Sequence, residues 1–274
     1  MGFLDPLELG NGVLLFASKE DAEMKIKHNK IKAGDVFPTS DGSSVTVVEY
    51  RNAREVLIEH NDTHKHRAVV QAGHLRAGQV KNPFFASVCG IGYVGAGGHV
   101  VSVGGRCTAA YESWKRMLER CYSDEFLAKY STYIGCSVHP DWHNFQAFAE
   151  WFHSQPNSQN DGFALDKDLL VLGNKLYGPS TCSFVPQEIN KLLNDNASSR
   201  GLYPQGVTAN GKGYKATLSV NGKNLHLGTY SSPEQAYTVY KAAKEQQVRS
   251  MAVEWREWLH PKVYANLIAW ELQA

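Results

Sequence analysis

The chain has 274 residues, 43% of them hydrophobic and 20% charged, an ordinary globular composition with room for two or three domains. A formal charge of +1 excludes bulk basicity, so a nucleic-acid partner must be met by a local patch. The five cysteines (Cys89, Cys107, Cys121, Cys136, Cys182) are odd in number and form no C-x-x-C pair. That argues against a disulfide framework and a cysteine-ligated zinc, and fits a reducing cytoplasm.

No apolar run approaches the roughly 18 residues of a membrane span, so no membrane partner is expected. Near the start, Val13-Leu14-Leu15-Phe16 lacks a basic leader and a small-residue cleavage site, unlike a signal peptide. A helical pattern around Ser18 to Lys27 carries no functional signal. Residues 30–80 are β in character: Val36-Phe37, Ser44 to Tyr50, Glu55 to Glu59 and Lys65 to Gln71 are short runs split by turn residues such as Asp41-Gly42. This pattern predicts a small barrel that displays a surface. His64 and His66, two apart, would share one solvated strand face.

From Lys81 to Gly105 the chain is dense in glycine, but it has no Gly-Lys-Ser/Thr and no strand-to-helix switch follows. The spacing fits an arm or linker over 81–108 better than a phosphate loop. From Tyr111 the period changes. Tyr111, Trp114, Met117, Leu118 and Cys121 form the apolar stripe of a helix, and Lys115, Arg116, Glu119 and Arg120 lie off most of it. A second helix is expected over Asn144 to Phe152, buried through Phe145, Phe148, Ala149 and Phe152. His139 and His143 flank Pro140, which interrupts any common helical face.

Residues 163–195 read as strand, loop, strand and short helix. Asp166 closes the first strand within Asp166-Lys167-Asp168, and Asn190 lies on the helix. A carboxylate and an amide oxygen are two hard donors, suited to a divalent cation against a phosphodiester. After a polar joint over 194–201 come three strands, Gly206 to Thr208, Tyr214 to Val220 and Asn224 to Tyr230. They are joined at Asn210-Gly211 and Asn221-Gly222, strong hairpin signals. Ser231-Ser232-Pro233-Glu234 then starts a helix. In the middle strand, alternation turns Tyr214, Ala216, Leu218 and Val220 toward that helix and Lys215, Thr217 and Ser219 away. Between residues 200 and 250 seven basic residues stand against two acids, a local charge of +5. A basic, polar three-stranded face suits a DNA major groove.

The run from Gly206 through Leu227-Gly228-Thr229-Tyr230 to Ala243 resembles the DNA-binding domain of the plant Apetala/ethylene-response-factor family, which also occurs in phage and mobile-element HNH homing endonucleases. The resemblance puts base and phosphate contacts at Thr208, Asn210, Thr217, Ser219, Asn224 and His226, beside Lys212, Lys215 and Lys223. Short polar residues stand where the plant domain has arginines and tryptophans, so the plant target is not implied. The order Trp114-Lys115, Arg120-Cys121-Tyr122, Trp142, Phe148, Leu165-Asp166-Lys167-Asp168, Tyr177, Cys182-Ser183-Phe184 and Asn190 is similar to the HNH family itself. It implies Asp166 and Asn190 as ligands of Mg²⁺ or Mn²⁺, with Asn174 or its neighbours steadying the loop. Lys167 stands where that family has a histidine base. A lysine acts as base only if its pKa is pushed down hard; the other choices are Asp168, through a water, or a degenerate site.

The implied architecture is α+β and multidomain. It comprises an SH3-like small barrel (30–80), the arm (81–108), a ββα-metal nuclease domain (109–196), a three-stranded sheet plus helix (202–252) and a helical tail (253–274). The implied function is metal-dependent cleavage of double-stranded DNA in the cytoplasm, that of the host if the chain is phage-encoded. The alternative is a DNA-binding protein that does not cut. Nothing reads a 2′-hydroxyl, which leaves an RNA-directed role without support.

Overall fold

A computed structural model describes residues 30–193, 202–220 and 222–272. The expectations for residues 1–29, the joint 194–201 and the Asn221 half of one turn lie outside the described residues. The chain is a mixed helix-and-strand protein that divides into two compact units, 1–85 and 86–274. Among the described residues no helix is long and apolar enough to cross a membrane.

In the first unit, β1 (Val36–Pro38), β2 (Ser44–Asn52), β3 (Glu55–His60) and β4 (Arg67–Val70) form an antiparallel sheet in that order. Alternation buries Val45, Val47, Val56 and Ile58, as the period-two pattern requires. The sheet does not close into the expected barrel, because β1 and β4 do not pair. Instead β4 runs almost directly into α1 (Ala72–Arg76), and Ala72 and Leu75 join the strand residues in the core. A helix covers the apolar face that closure would otherwise have to hide. His64 lies in the turn before β4, not on a strand, and stacks on Phe84 at 4.2 Å.

At the end of β3, His60 is 0% exposed, and neither ring nitrogen has a hydrogen-bond partner. Its ring stacks on His66 at 5.9 Å. Burial holds its pKa below the ordinary imidazole value; His66 adds to that, while Asp62 and Asp41 oppose it. The unfolded chain therefore binds this proton more readily than the folded one. The contribution is fully present above the unfolded pKa of about 6.5 and is lost as pH falls from there toward the folded value, at up to about 1.4 kcal/mol per pH unit. Protection factors of the β2–β3 amides in the full chain, referenced to the intrinsic exchange rate at each pH, should fall between pH 7.5 and 5.5. His60→Leu should flatten that dependence.

The second unit begins with the glycine-rich segment, which is packed rather than a free arm. A β-carbon at Gly92 would strike Leu118 and Trp114, one at Gly95 would strike the Asn144 amide, and one at Gly97 the Gln146 side chain. Gln146 donates to the carbonyls of Val94 and His99 and accepts from the His99 amide. Glycine is needed here for close approach, not for flexibility. After the short pair β5 (Ser102–Val103) and β6 (Arg106–Cys107), α2 (Ala109–Tyr122) starts at a Thr108 cap. Short α3 (Asp124–Lys129) and β7 (Ser137–Val138) lead to α4 (Phe145–Ser154), capped by Asn144. The α2 and α4 stripes meet in a core of Trp114, Met117, Leu118, Trp142, Phe145, Phe148 and Phe152.

Two antiparallel strands follow, β8 (Phe163–Asp166) and β10 (Ser183–Pro186), with β9 (Leu176–Tyr177) between them in sequence pairing β7. β10 passes without a loop into α5 (Gln187–Leu193). Then β11 (Val207–Asn210), β12 (Gly213–Val220) and β13 (Lys223–Tyr230) form an antiparallel sheet. Helix α6 (Pro233–Glu254) starts at the expected Ser232 cap with Pro233 in its first turn. It does not stop with the sheet. Ala236 and Tyr240 pack beneath the sheet, whereas Val248 and Ala252 join Val185 and Ile189 of the ββα segment and Val263 and Leu267 of α7 (Pro261–Ile268). One unbroken helix of about 33 Å thus serves both cores, and the tail closes the β8–α5 segment. Asn266 of α7 donates to the Leu169 carbonyl at 2.7 Å, fastening the loop after Asp168.

Candidate functional site

Asp166 ends β8 opposite Ser183 of β10, and Asn190 sits one turn into α5. Because β10 leads straight into the helix, the strand end and the helix face open on one groove of about 490 Å³. Lys167 and Asp168 line it too, as do Arg116 and Arg120 from α2 and Lys191 from α5. The four residues singled out in the sequence as catalytic, Asp166, Lys167, Asp168 and Asn190, therefore come together.

The local turn is built from side chain to backbone. Asp166 Oδ1 accepts from the amides of Asp168 (2.9 Å) and Leu169 (2.7 Å), bending the chain sharply after the strand. Oδ2 has no hydrogen-bond partner among the described residues, nor does the Asn190 amide group. Burial raises the Asp166 pKa, with Asp168 adding to that and the Leu169 amide opposing it. A desolvated carboxylate with an uncommitted oxygen gains from a cation. Asn174 steadies the loop: its amide nitrogen donates to the carbonyls of Lys167 (2.9 Å) and Leu176 (2.6 Å), and its oxygen accepts from the Leu176 amide.

Lys167 is not set up as a base. Its side chain is 7% exposed, and Nζ donates to Asp168 Oδ1 at 2.6 Å and to the Asn174 carbonyl at 3.2 Å. Burial alone would lower its pKa, but the bonded Asp168 carboxylate outweighs this and the pKa is raised. The ammonium keeps its proton, contrary to what a basic role demands. Asp168 is 55% exposed, and Oδ1 alone is engaged by Lys167. Among the described residues no three His, Cys, Asp or Glu side chains cluster into a closed metal cage. Two oxygen donors with open positions are instead the kind of set that holds Mg²⁺ together with water and a substrate phosphate.

In the three-stranded sheet, β12 buries Ala216 and Leu218 against α6. The register pairs Thr208 with Lys215, Asn210 with Gly213, Thr217 with His226 and Ser219 with Asn224. Directly paired residues share a face, so all six family-implied contact positions and Lys215 lie on the side away from α6. A bulge at Leu227, marked by the register shift between Ala216 and Thr217, brings His226 onto that face. Lys212 occupies the first turn. Lys223 pairs with Val220, which puts it at the hairpin end in the opposite register.

The local charge is less concentrated than the sequence count suggests. Arg200 lies outside the described residues. Lys241 donates to the Leu272 carbonyl at 2.9 Å, and Arg249 lies 3.9 Å from Glu245. Lys244 is 8% exposed and donates to the Leu192 carbonyl at the end of α5, at 2.6 Å. These three α6 cations brace the helix rather than the sheet face. Sequence reasoning passed over Arg116 and Arg120 as site residues, although their four-residue spacing off the apolar stripe put them on one helix edge. No family description, no curated protein and no solved structure matches the chain.

Proposed function

We propose that the chain is a metal-dependent DNA endonuclease of the HNH homing type, its central segment a ββα-metal nuclease domain and residues 202–252 a DNA-binding module of the Apetala kind. The observation that carries this reading is that Asp166 and Asn190, from the strand end and the following helix, line one groove. Asp166 Oδ2 and the Asn190 amide lack hydrogen-bond partners among the described residues, and the groove is also lined by Arg116, Arg120, Lys167 and Lys191, with Glu112, Asp161 and Asp168 as its other acids. Asp166 and Asn190 would hold Mg²⁺ or Mn²⁺; when bound, the cation supplies charge stabilisation at the scissile phosphate. Asp168 takes the proton of the attacking water through its free oxygen, and Lys167 holds that carboxylate in place from the buried side. The face of Thr208, Asn210, Lys215, Thr217, Ser219, Asn224 and His226 holds the duplex, with Lys212 and Lys223 at its ends meeting phosphates. The runner-up, a DNA-binding protein that does not cut, draws on the protonated Lys167 where the family has its histidine.

Supercoiled plasmid incubated with the full chain and Mg²⁺ or Mn²⁺ should convert to nicked or linear DNA, and EDTA should stop it. No conversion with a gel shift intact favours the runner-up. In the same gel shifts, exchanging Lys212, Lys215 and Lys223 for glutamine should weaken binding and reduce the slope of log K against log salt by about 0.9 per lost phosphate contact. An unchanged slope would remove the sheet as the DNA face.

A further inference from the structure

The α2 wall of the groove carries Glu112, Ser113, Arg116 and Arg120. Arg116 is an exposed side chain whose charge is met by Glu112 at 3.1 Å. Arg120, one turn further along, is half-buried and has no acidic partner among the described residues. Its neighbours are aromatic: the guanidinium carbon lies 5.9 Å from the Tyr133 ring centroid, and the Tyr177 hydroxyl lies against it. Tyr177 is 2% exposed, and burial pushes its phenol well above the usual range, so it stays neutral and leaves the arginine charge uncompensated. A guanidinium cannot shed its proton to escape burial. The charge therefore stands at the groove wall with no carboxylate partner among the described residues. Asp166, Asn190 and Arg120 line the same groove.

We infer that Arg120 is the phosphodiester grip of this groove, donating its planar fork to the non-bridging oxygens of the DNA phosphate beside Asp166 and Asn190. Tyr133 and Tyr177 hold the guanidinium flat and pre-aimed, so little side-chain freedom is lost when the phosphate arrives. Charge that builds on the phosphoryl oxygens during cleavage strengthens the contact, which assigns Arg120 to the chemical step more than to duplex affinity. The assignment names a substrate contact for the nuclease reading and rests on it, but phosphodiester binding can be measured without cleavage.

The test compares wild type, Arg120→Lys and Arg120→Ala as full-length chains. In EDTA, the dinucleotide d(TpT) is titrated while the arginine Nε–H resonances are followed. One resonance should shift and saturate in wild type and be absent from both variants. In Mg²⁺, Arg120→Ala should lose about 10²–10³-fold in kcat, with KM and gel-shift affinity changed less than about threefold. Arg120→Lys should fall between, because a point charge lacks the fork, and added methylguanidinium should restore part of the alanine variant's rate. A wild-type protein that never cuts but still shifts the Arg120 resonance sinks the nuclease reading and keeps the grip. The proposal is overturned if no arginine resonance responds to d(TpT), or if Arg120→Ala cuts at the wild-type rate. A loss of rate that comes with a lost cooperative melt and no rescue also overturns it, because the role is then structural.

Discussion

Asp166→Asn is expected to lower metal-dependent nicking by about 10²–10³-fold, a loss of about 3–4 kcal/mol in transition-state stabilisation, while the protein melts at the same temperature or higher. The two halves of that result have separate causes. The asparagine oxygen can still accept the amides of Asp168 and Leu169 that Oδ1 holds at 2.9 and 2.7 Å, so the turn survives. What disappears is the negative charge, and that charge is a burden to the fold: burial raises the Asp166 pKa. A carboxyl group with a raised folded-state pKa costs stability as pH rises from its unfolded value of about 3.9 through its folded value. Asparagine removes it. Asp166→Ala should lose nicking to the same degree but melt lower, because two backbone amides lose their acceptor. Plasmid conversion and circular-dichroism melts on the three proteins decide the matter. Undiminished nicking by Asp166→Asn would remove this carboxylate from the metal site.

Trp114→Ala should destabilise the second unit by about 3–5 kcal/mol through the lost side chain, with a further cost of about 1–3 kcal/mol for an orphaned carbonyl. Trp114 is 0% exposed, packs at 5.5 Å from Phe145, and donates its indole N–H to the Trp142 carbonyl at 2.7 Å. Gly92 lies so close that nothing larger fits over the ring. Against a whole-domain stability of about 5–15 kcal/mol, such a loss brings the unit near unfolding. It also loosens the helix that carries Arg116 and Arg120, so nicking should fall with the fold. Trp114→Phe keeps much of the packing and loses the N–H bond, and should cost clearly less. Urea unfolding followed by circular dichroism reads both changes. A Trp114→Ala cost below about 1 kcal/mol contradicts the fully buried packing on which the figure rests.

Much of the second unit was legible because its signals are local. The Asn210-Gly211 turn, the Ser232 cap with Pro233 and the alternation through Ala216 and Leu218 each act within a few residues, and the observed elements follow them closely. The Asp166-Lys167-Asp168 turn and the helix bearing Asn190 were readable in the same way. Backbone hydrogen bonding and side-chain period are properties of the nearest turn of chain, so sequence alone determined the longer helices, the C-terminal hairpins, the Ser232 cap and which face of each is apolar, but not the short α1, α3, β5, β6, β7 and β9.

Tertiary structure alone decided how those faces and charges are partnered. The first sheet stays open because α1, not a closing strand, covers its apolar side. The glycine-rich segment is a close-packed strap because Trp114, Asn144 and Gln146 lie against it. Lys167 keeps its proton because Asp168 and the Asn174 carbonyl surround it, and Lys244 braces α5 because Leu192 ends beside it. Arg120 stands charged in the groove because distant Tyr133 and Tyr177, neither of them acidic, are its neighbours. Burial and charge compensation depend on groups far away along the chain, and no local period encodes which of them will meet.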